Sequence, residues 1–436
     1  MTPTADSWID GAPVKWTRGR IKNLIASSTN GTWGGEPAED GSDVRCIRAA
    51  DFDRVGRRTK VDGAPLRNID ASSLRQHLLR PGDLILEKSG GGEKQPVGMA
   101  VLYEGMERAV CSNFCSRISP AVDVDSRFLA YVFAAAYGQG LTQSAIKQTT
   151  GIQNLDAGVF FSSPWAYPGL DEQRRIADFL DAETARLDAL ATAMNSQDAA
   201  LQQRRLRVLD FASEHAPKAP LVRLGYLSSL VTSGSRGWGD FVSDTGSLFF
   251  RSANLYPDRV QPKLTNLVYV QVPAAAASEA QRSRIEPGDV LVGITGANAG
   301  WVCLANDEVA GGHVSQHVCL VRPDKNRINV DWLAFLIASP ATQSKLMGNQ
   351  YGGTKTQLSL PDIREIRIPV LPVEQQAQIT HSIKRQIDAI DRQRLLRQRQ
   401  LVLLAERRQS LITAAVTGQF DVTTASGRNV TDGVTA

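Results

Sequence analysis

Apolar residues recur every seven positions along two long stretches of this chain. In the first, Leu180, Leu187, Met194, Leu201 and Val208 mark the repeat, and in the second Ile383, Ile390, Leu404 and Leu411 do, interrupted by Arg397. The first runs from Leu170 without a proline or glycine until Pro217, and the second from Val373 to Val416 is equally free of both. Some forty such residues predict one helix of about 60 Å in each case. A narrow stripe repeating every seven residues is the signature of a coiled-coil seam, whereas packing on a globular domain demands a wider apolar face. The opposite faces are crowded with Arg, Gln, Asp and Glu, so the two helices are expected to pair with each other. They are also copies. Gln173 matches Gln376, Ile176 matches Ile379, Asp188 matches Asp391 and Arg204-Arg205 matches Arg407-Arg408, always 203 residues apart.

Shorter patterns precede each helix. Residues 1–168 carry β-like runs at Asp83 to Leu86, Met99 to Tyr103 and Val110 to Ile118, turn clusters at Ser27 to Gly35 and Ser89 to Gly92, and one helix-like run from Ser126 to Tyr137. Residues 216–370 repeat this outline. Arg80 to Leu86 (RPGDLIL) is answered by Glu286 to Val292 (EPGDVLV), Ser112 to Pro120 by Ser315 to Pro323, and Arg48 by Arg251. The expected fold class is α+β: two mixed α/β heads at 1–168 and 216–370, and two long helices at 169–215 and 371–420 paired as an antiparallel coiled coil with pseudo-two-fold symmetry. A small, polar tail follows at 421–436, and its composition predicts disorder. Between the matched points the heads diverge: Gly90 to Gln95 faces Thr295 to Gly300, and Arg57 to Lys60 has no counterpart. A shared scaffold with different loops fits two binders of different targets; drift after duplication gives the same pattern.

Composition changes this picture little. The 436 residues suit two domains, and a net charge of +4 with a pI near 8.8 makes any nucleic-acid surface local. Five irregularly spaced cysteines and the absence of a leader-like or membrane-spanning apolar run point to a reduced, cytoplasmic protein.

Catalytic signatures are missing. Ser89 to Lys94 has glycines and a lysine without phosphate-loop spacing, and no Pro-Pro dipeptide supports an amino-methyltransferase motif. His313 and His317 are spaced i, i+4 but flank a β-like run with no completing carboxylate or thiolate, so no metal site is expected. Cys111 and Cys115 read as buried core thiols. The repeated Pro-Gly-Asp turns at Asp83 and Asp289 read as scaffold. Side chains suited to phosphates or base edges lie in turn-rich segments: Arg57, Arg58, Lys60, Lys94, Gln95, Arg236, Trp238, Asn298, Lys355, Thr356 and Gln357. Each is equally well an ordinary solvated loop residue. The basic stripe Arg392, Arg394, Arg397 and Arg399 reads as a solvated or protein-docking face.

Two direct repeats with antiparallel helices suit a DNA duplex, whose local two-fold axes let two heads take separate half-sites with the helices setting the gap. The duplicated L-D-E-Q-x-x-I and V-E-Q-Q-x-x-I motifs at Leu170 to Ile176 and Val373 to Ile379, behind two unlike heads, resemble the specificity subunit of Type I restriction-modification systems. The resemblance spans nearly the whole chain, departing at Tyr167-Pro168-Gly169, where the family tends to Pro-Pro-Leu. It implies a non-catalytic subunit that reads an asymmetric, bipartite site on double-stranded DNA, with target recognition domains at both heads. Its helices would form a spacer and a docking surface for two modification (methyltransferase) subunits, with restriction/motor subunits joining in the full complex. No cofactor would be bound by this chain, S-adenosylmethionine belonging to the modification subunit. Two other classes stay open: a coiled-coil adaptor that binds no DNA, and a self-contained DNA-modifying enzyme.

Overall fold

The computed structural model describes residues 9–92, 95–105, 107–149, 152–214, 216, 218–348 and 357–422. The chain divides into two compact units, one made of residues 1–193 and 399–436 and the other of residues 194–398. Each unit therefore contains one head and a part of both long helices.

In the first unit the head is a six-stranded sheet. Its strands are β1 (Ile25–Asn30), β2 (Phe52–Asp53), β3 (Arg58–Thr59), β4 (Leu84–Glu87), β5 (Ala100–Leu102) and β6 (Cys115–Pro120), in the order β1-β6-β4-β5-β3-β2. All neighbours are antiparallel except β3 and β5. The sheet is covered by helix α1 (Ser126–Gly138), whose residues Phe128 to Ala136 are all buried. An all-round apolar helix must sit inside a core. Asp125 caps it by accepting from the backbone N–H groups of Arg127 and Phe128 at 3.0 and 3.1 Å. The run Val110 to Ile118, expected as one strand, is two. Ala109–Cys111 pairs in parallel with Val44–Ile47, β6 pairs with β4, and a turn at Ser112 to Phe114 separates them. The turn cluster expected at Ser27 to Gly35 is partly strand, since β1 extends to Asn30.

The second unit repeats the sheet with four strands, β7 (Ser228–Ser233), β8 (Val290–Gly293), β9 (Val302–Leu304) and β10 (Val318–Pro323), in the order β7-β10-β8-β9. This matches β1-β6-β4-β5. Four short strands, Val242–Ser243, Ser247–Phe250, Tyr269–Val270 and His313–Val314, form a second small sheet, so the run around His313 is likewise broken. Helix α3 (Val330–Ala338) takes the place of α1, with Trp332 to Ile337 buried and Asn329 as its cap.

The long helices are α2 (Leu170–Glu214) and α4 (Val373–Val416), and within both units they pair antiparallel. In the first unit Arg408 reaches Asp188; in the second Arg205 reaches Asp391 and Arg394 reaches Asp198. Every seam position read from the sequence is buried or half-buried: Leu180, Val208, Ile383, Ile390 and Leu411 fully, Leu187, Met194, Leu201 and Leu404 partly. The difference has a physical cause. At their ends the helices join the head cores, where Ile176, Ala177 and Leu180 meet Leu411, Ile412, Ala415 and Val416 in the first unit, and Val208 and Leu209 meet Ile383, Ile387 and Ile390 in the second. Within each unit the buried face is wide where the helices meet the head and narrows along the remaining seam positions, so seam pairing and packing on a head both hold. Arg397 accommodates itself in the seam by donating to Gln197, and Arg394 is no solvated residue, being paired with Asp198 and Asp258.

The matched glutamines fasten heads to helices. Gln173 accepts from the N–H of Asp125 at 3.0 Å and donates to the Pro168 carbonyl at 2.9 Å; Gln376 accepts from the N–H of Asn329 at 2.8 Å and donates to the Leu371 carbonyl at 2.7 Å. One side chain thus joins the start of a long helix to the cap of the head helix, which is why the repeated motif centres on glutamine.

Candidate nucleic-acid interface

The same cradle forms at one end of each sheet. In the first unit Gly31 lies against the turn after Cys111, where an added Cβ would stand 2.2 Å from the Cys111 and Ser112 carbonyl oxygens. In the second, a Cβ on Gly234 would stand 1.9 Å from the Val314 oxygen. Only glycine lets the strands approach so closely. The turn is held further by Ser112 N–H donating to Ile47 and Ser315 N–H donating to Phe250, both at 2.9 Å. Next to it sits a 3-10 turn headed by arginine. Arg48 grips Asp51 with two side-chain nitrogens at 2.9 Å, and in the same place the Arg251 backbone N–H donates to Asn254 Oδ1 at 3.0 Å.

The side chains on this scaffold differ. In the first unit an open cleft is lined by Trp33, Arg48, Glu87, Ser89, Ser112 and Phe114. Phe114 is 51% exposed at the turn tip. Lys88 donates to Asn30 at 2.9 Å, and Ser89 to Asn154 at 2.7 Å. Burial raises the Glu87 carboxyl above its ordinary pKa, against the pull of Arg54. In the second unit the position of Phe114 is taken by His317, whose ring nitrogens stand 2.8 Å from Thr295 Oγ1 and 3.1 Å from Gln316 Nε2. Asn298 donates to the Ser252 carbonyl at 2.9 Å, and Thr295 bridges to Gln357. One cradle thus offers aromatic, amide, ammonium and carboxyl groups, the other imidazole, amide and hydroxyl. Such groups hydrogen-bond base edges and stack on bases.

The residues expected from sequence are scattered. Asn298 and the exposed Gln357 belong to the second cradle, and the exposed Gln95 pairs its backbone with Gly92 beside the first. Lys60 and Arg236 are exposed elsewhere, and Arg58 is paired with Glu104. Arg57 turns inward. It lines a pocket with Tyr131, Asp181 and Arg408, and burial, aided by Arg408, lowers its pKa to about 10. Trp238 requires correction as a DNA contact. It is a core residue, 2% exposed, stacked on Phe249 and donating from Nε1 to Glu279 at 3.1 Å. Lys94, Lys355 and Thr356 lie outside the described residues. Trp33, Phe114, Gln316 and His317 were missed, although a usable signal existed: matched turns carrying unmatched residues.

Among the described residues there is no cluster of three or more metal-ligating side chains, and no helix is long and apolar enough to cross a membrane. The five cysteines are buried and unpaired. Burial pushes the thiols of Cys115 and Cys319 up to about 12. Asp83 and Asp289 close their turns, accepting from the N–H groups of Arg80 and Glu286 at 2.8 Å.

Residues 277–398 match the family described as the Type I restriction modification DNA specificity domain. No curated protein matches the sequence significantly. The fold is similar to a chain from a structural study of complex assembly and conformational transition of the type I R-M system, at a TM-score of 0.70 and 16% identity, covering 94% of this chain and 99% of that one. It is also similar to the HsdS subunit from Thermoanaerobacter tengcongensis, at a TM-score of 0.52 and 16% identity, covering 94% and 98%. The resemblance read from the duplicated helix motif thus holds in a family match and in the fold.

Proposed function

We propose that this chain is the sequence-specific DNA-recognition subunit of a Type I restriction-modification complex, reading an asymmetric bipartite site with one cradle per half. The observation that carries this is the pairing of a matching turn in both heads with unlike contact groups: Gly31 and Gly234 build the same turn, and Phe114 and His317 crown it differently. Two copies of one reader with different side chains specify two different half-sites. The long helices are the spacer in this reading, since each runs unbroken for more than forty residues.

The chain carries no chemistry of its own in this reading. Its partners are two modification subunits, which supply S-adenosylmethionine-dependent methylation, and restriction/motor subunits. Helix α4 offers them a docking stripe: Leu395 and Leu396, then Val402 and Leu403 one heptad later, are 49 to 60% exposed. Apolar side chains repeating along an exposed helix face mark an interaction surface.

The test is selection from a random double-stranded DNA library by the chain together with its modification subunit. Enrichment of a split motif is expected, with Phe114→Ala changing one half and His317→Ala the other. Enrichment of no motif would favour the adaptor; methyl transfer by this chain alone would favour a self-contained enzyme.

A further inference from the structure

The contact between each head helix and its long helix has opposite polarity in the two units. The glutamine anchors align the residues: Gln173 holds Asp125 and Gln376 holds Asn329, so Arg127 corresponds to Asp331, Asp178 to His381 and Asp181 to Lys384. In the first unit Arg127 of α1 reaches Asp178 and Asp181 of α2, both at 2.8 Å, and Asp125 at 3.7 Å. In the second unit Asp331 of α3 takes Lys384 of α4 at 2.6 Å. A basic head meets an acidic helix once, and an acidic head meets a basic helix once.

The first arrangement runs against local preference. The start of a helix favours acidic side chains, and α3 obeys with Asp331, whereas α1 places Arg127 in its first turn and has no acid there. The carboxylates of α2 hold that arginine in place. Exchanged docking would set Arg127 against Lys384 and His381, and Asp331 against Asp178 and Asp181. Like charges meet in both cases, and such repulsion against the wrong partner is a source of specificity.

We propose that this reversed contact is a key that assigns each head to its own long helix, with Arg127, Asp178 and Asp181 on one side and Asp331 and Lys384 on the other as its determinants. It fixes which long helix each head packs on. The order of two half-sites follows only under the function proposed above; the docking does not depend on that function, and the test reads docking alone.

The experiment transplants the second key into the first unit of the full-length protein and follows thermal unfolding without DNA. Arg127→Asp alone leaves four carboxylates together, and Asp178→His with Asp181→Lys leaves Arg127 facing a lysine and without its two partners on α2. Each is expected to lower Tm by roughly 2–6 °C. The three substitutions together are expected to recover at least half of the loss, because the pair is restored with inverted sign, the remainder being the Tyr131 hydroxyl's bond to Asp181 at 2.7 Å. The converse transplant, Asp331→Arg with His381→Asp and Lys384→Asp, should behave likewise. If the losses add instead of cancelling, or if neither partial variant changes Tm, the key does not exist. A partial variant that fails to fold, rescued by completing the transplant, supports it.

Discussion

Arg205 donates from Nε to the carboxylate of Asp391 at 3.1 Å, with its side chain only 2% exposed, and its counterpart Arg408 donates to Asp188 at 3.2 Å. The partners are exchanged: each helix supplies the aspartate of one pair and the arginine of the other. An antiparallel pair built from two copies of one helix makes such reciprocal contacts. The two pairs differ in depth, and this decides their weight. Removing one member of a buried pair strands the other charge, at a cost of about 3–5 kcal/mol, whereas a more exposed pair contributes under about 1 kcal/mol. Asp391→Ala is therefore expected to destabilise the protein by about 3 kcal/mol. Asp188→Ala, whose arginine is 14% exposed, should cost about 1 kcal/mol. Urea unfolding of both variants checks the ranking, and equal effects would contradict it.

The glutamine anchors are the next joint to break. Gln376→Ala removes the acceptor of the Asn329 N–H and the donor to the Leu371 carbonyl at a residue with no exposed surface. An abandoned buried backbone group costs about 1–3 kcal/mol. Gln376→Ala should therefore lose about 2–4 kcal/mol, and Gln376→Glu, which keeps the acceptor and loses the donor, should recover only part. Hydrogen exchange at Asn329 provides a local check, since its amide loses protection only if the anchor is real.

The helices, their seam and the glutamine motif were legible in the sequence because each rests on local periodicity and one constant offset. The breaks at Ser112 to Phe114 and at His313 were not. Ser112-Asn113 and Ser315 are weak turn formers set among apolar residues, and what holds the turns is the close approach of Gly31 and Gly234, some eighty residues earlier. Trp238 misled for a related reason. Beside Arg236 it looks like a contact residue, but its burial comes from Phe249 and Val270, which only the folded chain brings near. The cradle residues were within reach, since Phe114 and His317 occupy matched positions with unmatched chemistry. Reading matched stretches only as scaffold hid them.

His313 gives the second unit a dependence on pH. It is 6% exposed, lies edge-on to Trp238 at 5.3 Å, and stands 3.3 Å from Ser283 Oγ. Burial lowers its pKa below the ordinary histidine value, with a smaller push from Arg284 in the same direction. A group whose folded pKa is depressed binds more protons when unfolded, so acid favours unfolding. The stability it allows is fully present above about pH 6.5 and is lost as pH falls below that value. Unfolding midpoints followed by Trp fluorescence should drop between about pH 6.5 and 5, more steeply in the parent than in His313→Gln. Parallel curves for the two proteins would show that another group titrates.

The strictest demand on the cradle falls on Gly31 and Gly234. A methyl group at either would overlap backbone carbonyls on the adjoining turn, and backbone cannot swing aside as a flexible side-chain end can. Overpacking against side chains costs about 1–3 kcal/mol, and a clash with hydrogen-bonded backbone should reach the upper end of that range. Gly31→Ala is expected to open the turn at Ser112, breaking its bond to Ile47, and Gly234→Ala to do the same at Ser315. The effects should stay local, because each turn belongs to one unit. Hydrogen exchange would then show faster amide exchange around Ser112 in the first variant and around Ser315 in the second, while the amides of α1 and α3 keep their protection. If either substitution loosened both turns, the cradles would not be the separate structures that two independent readers require.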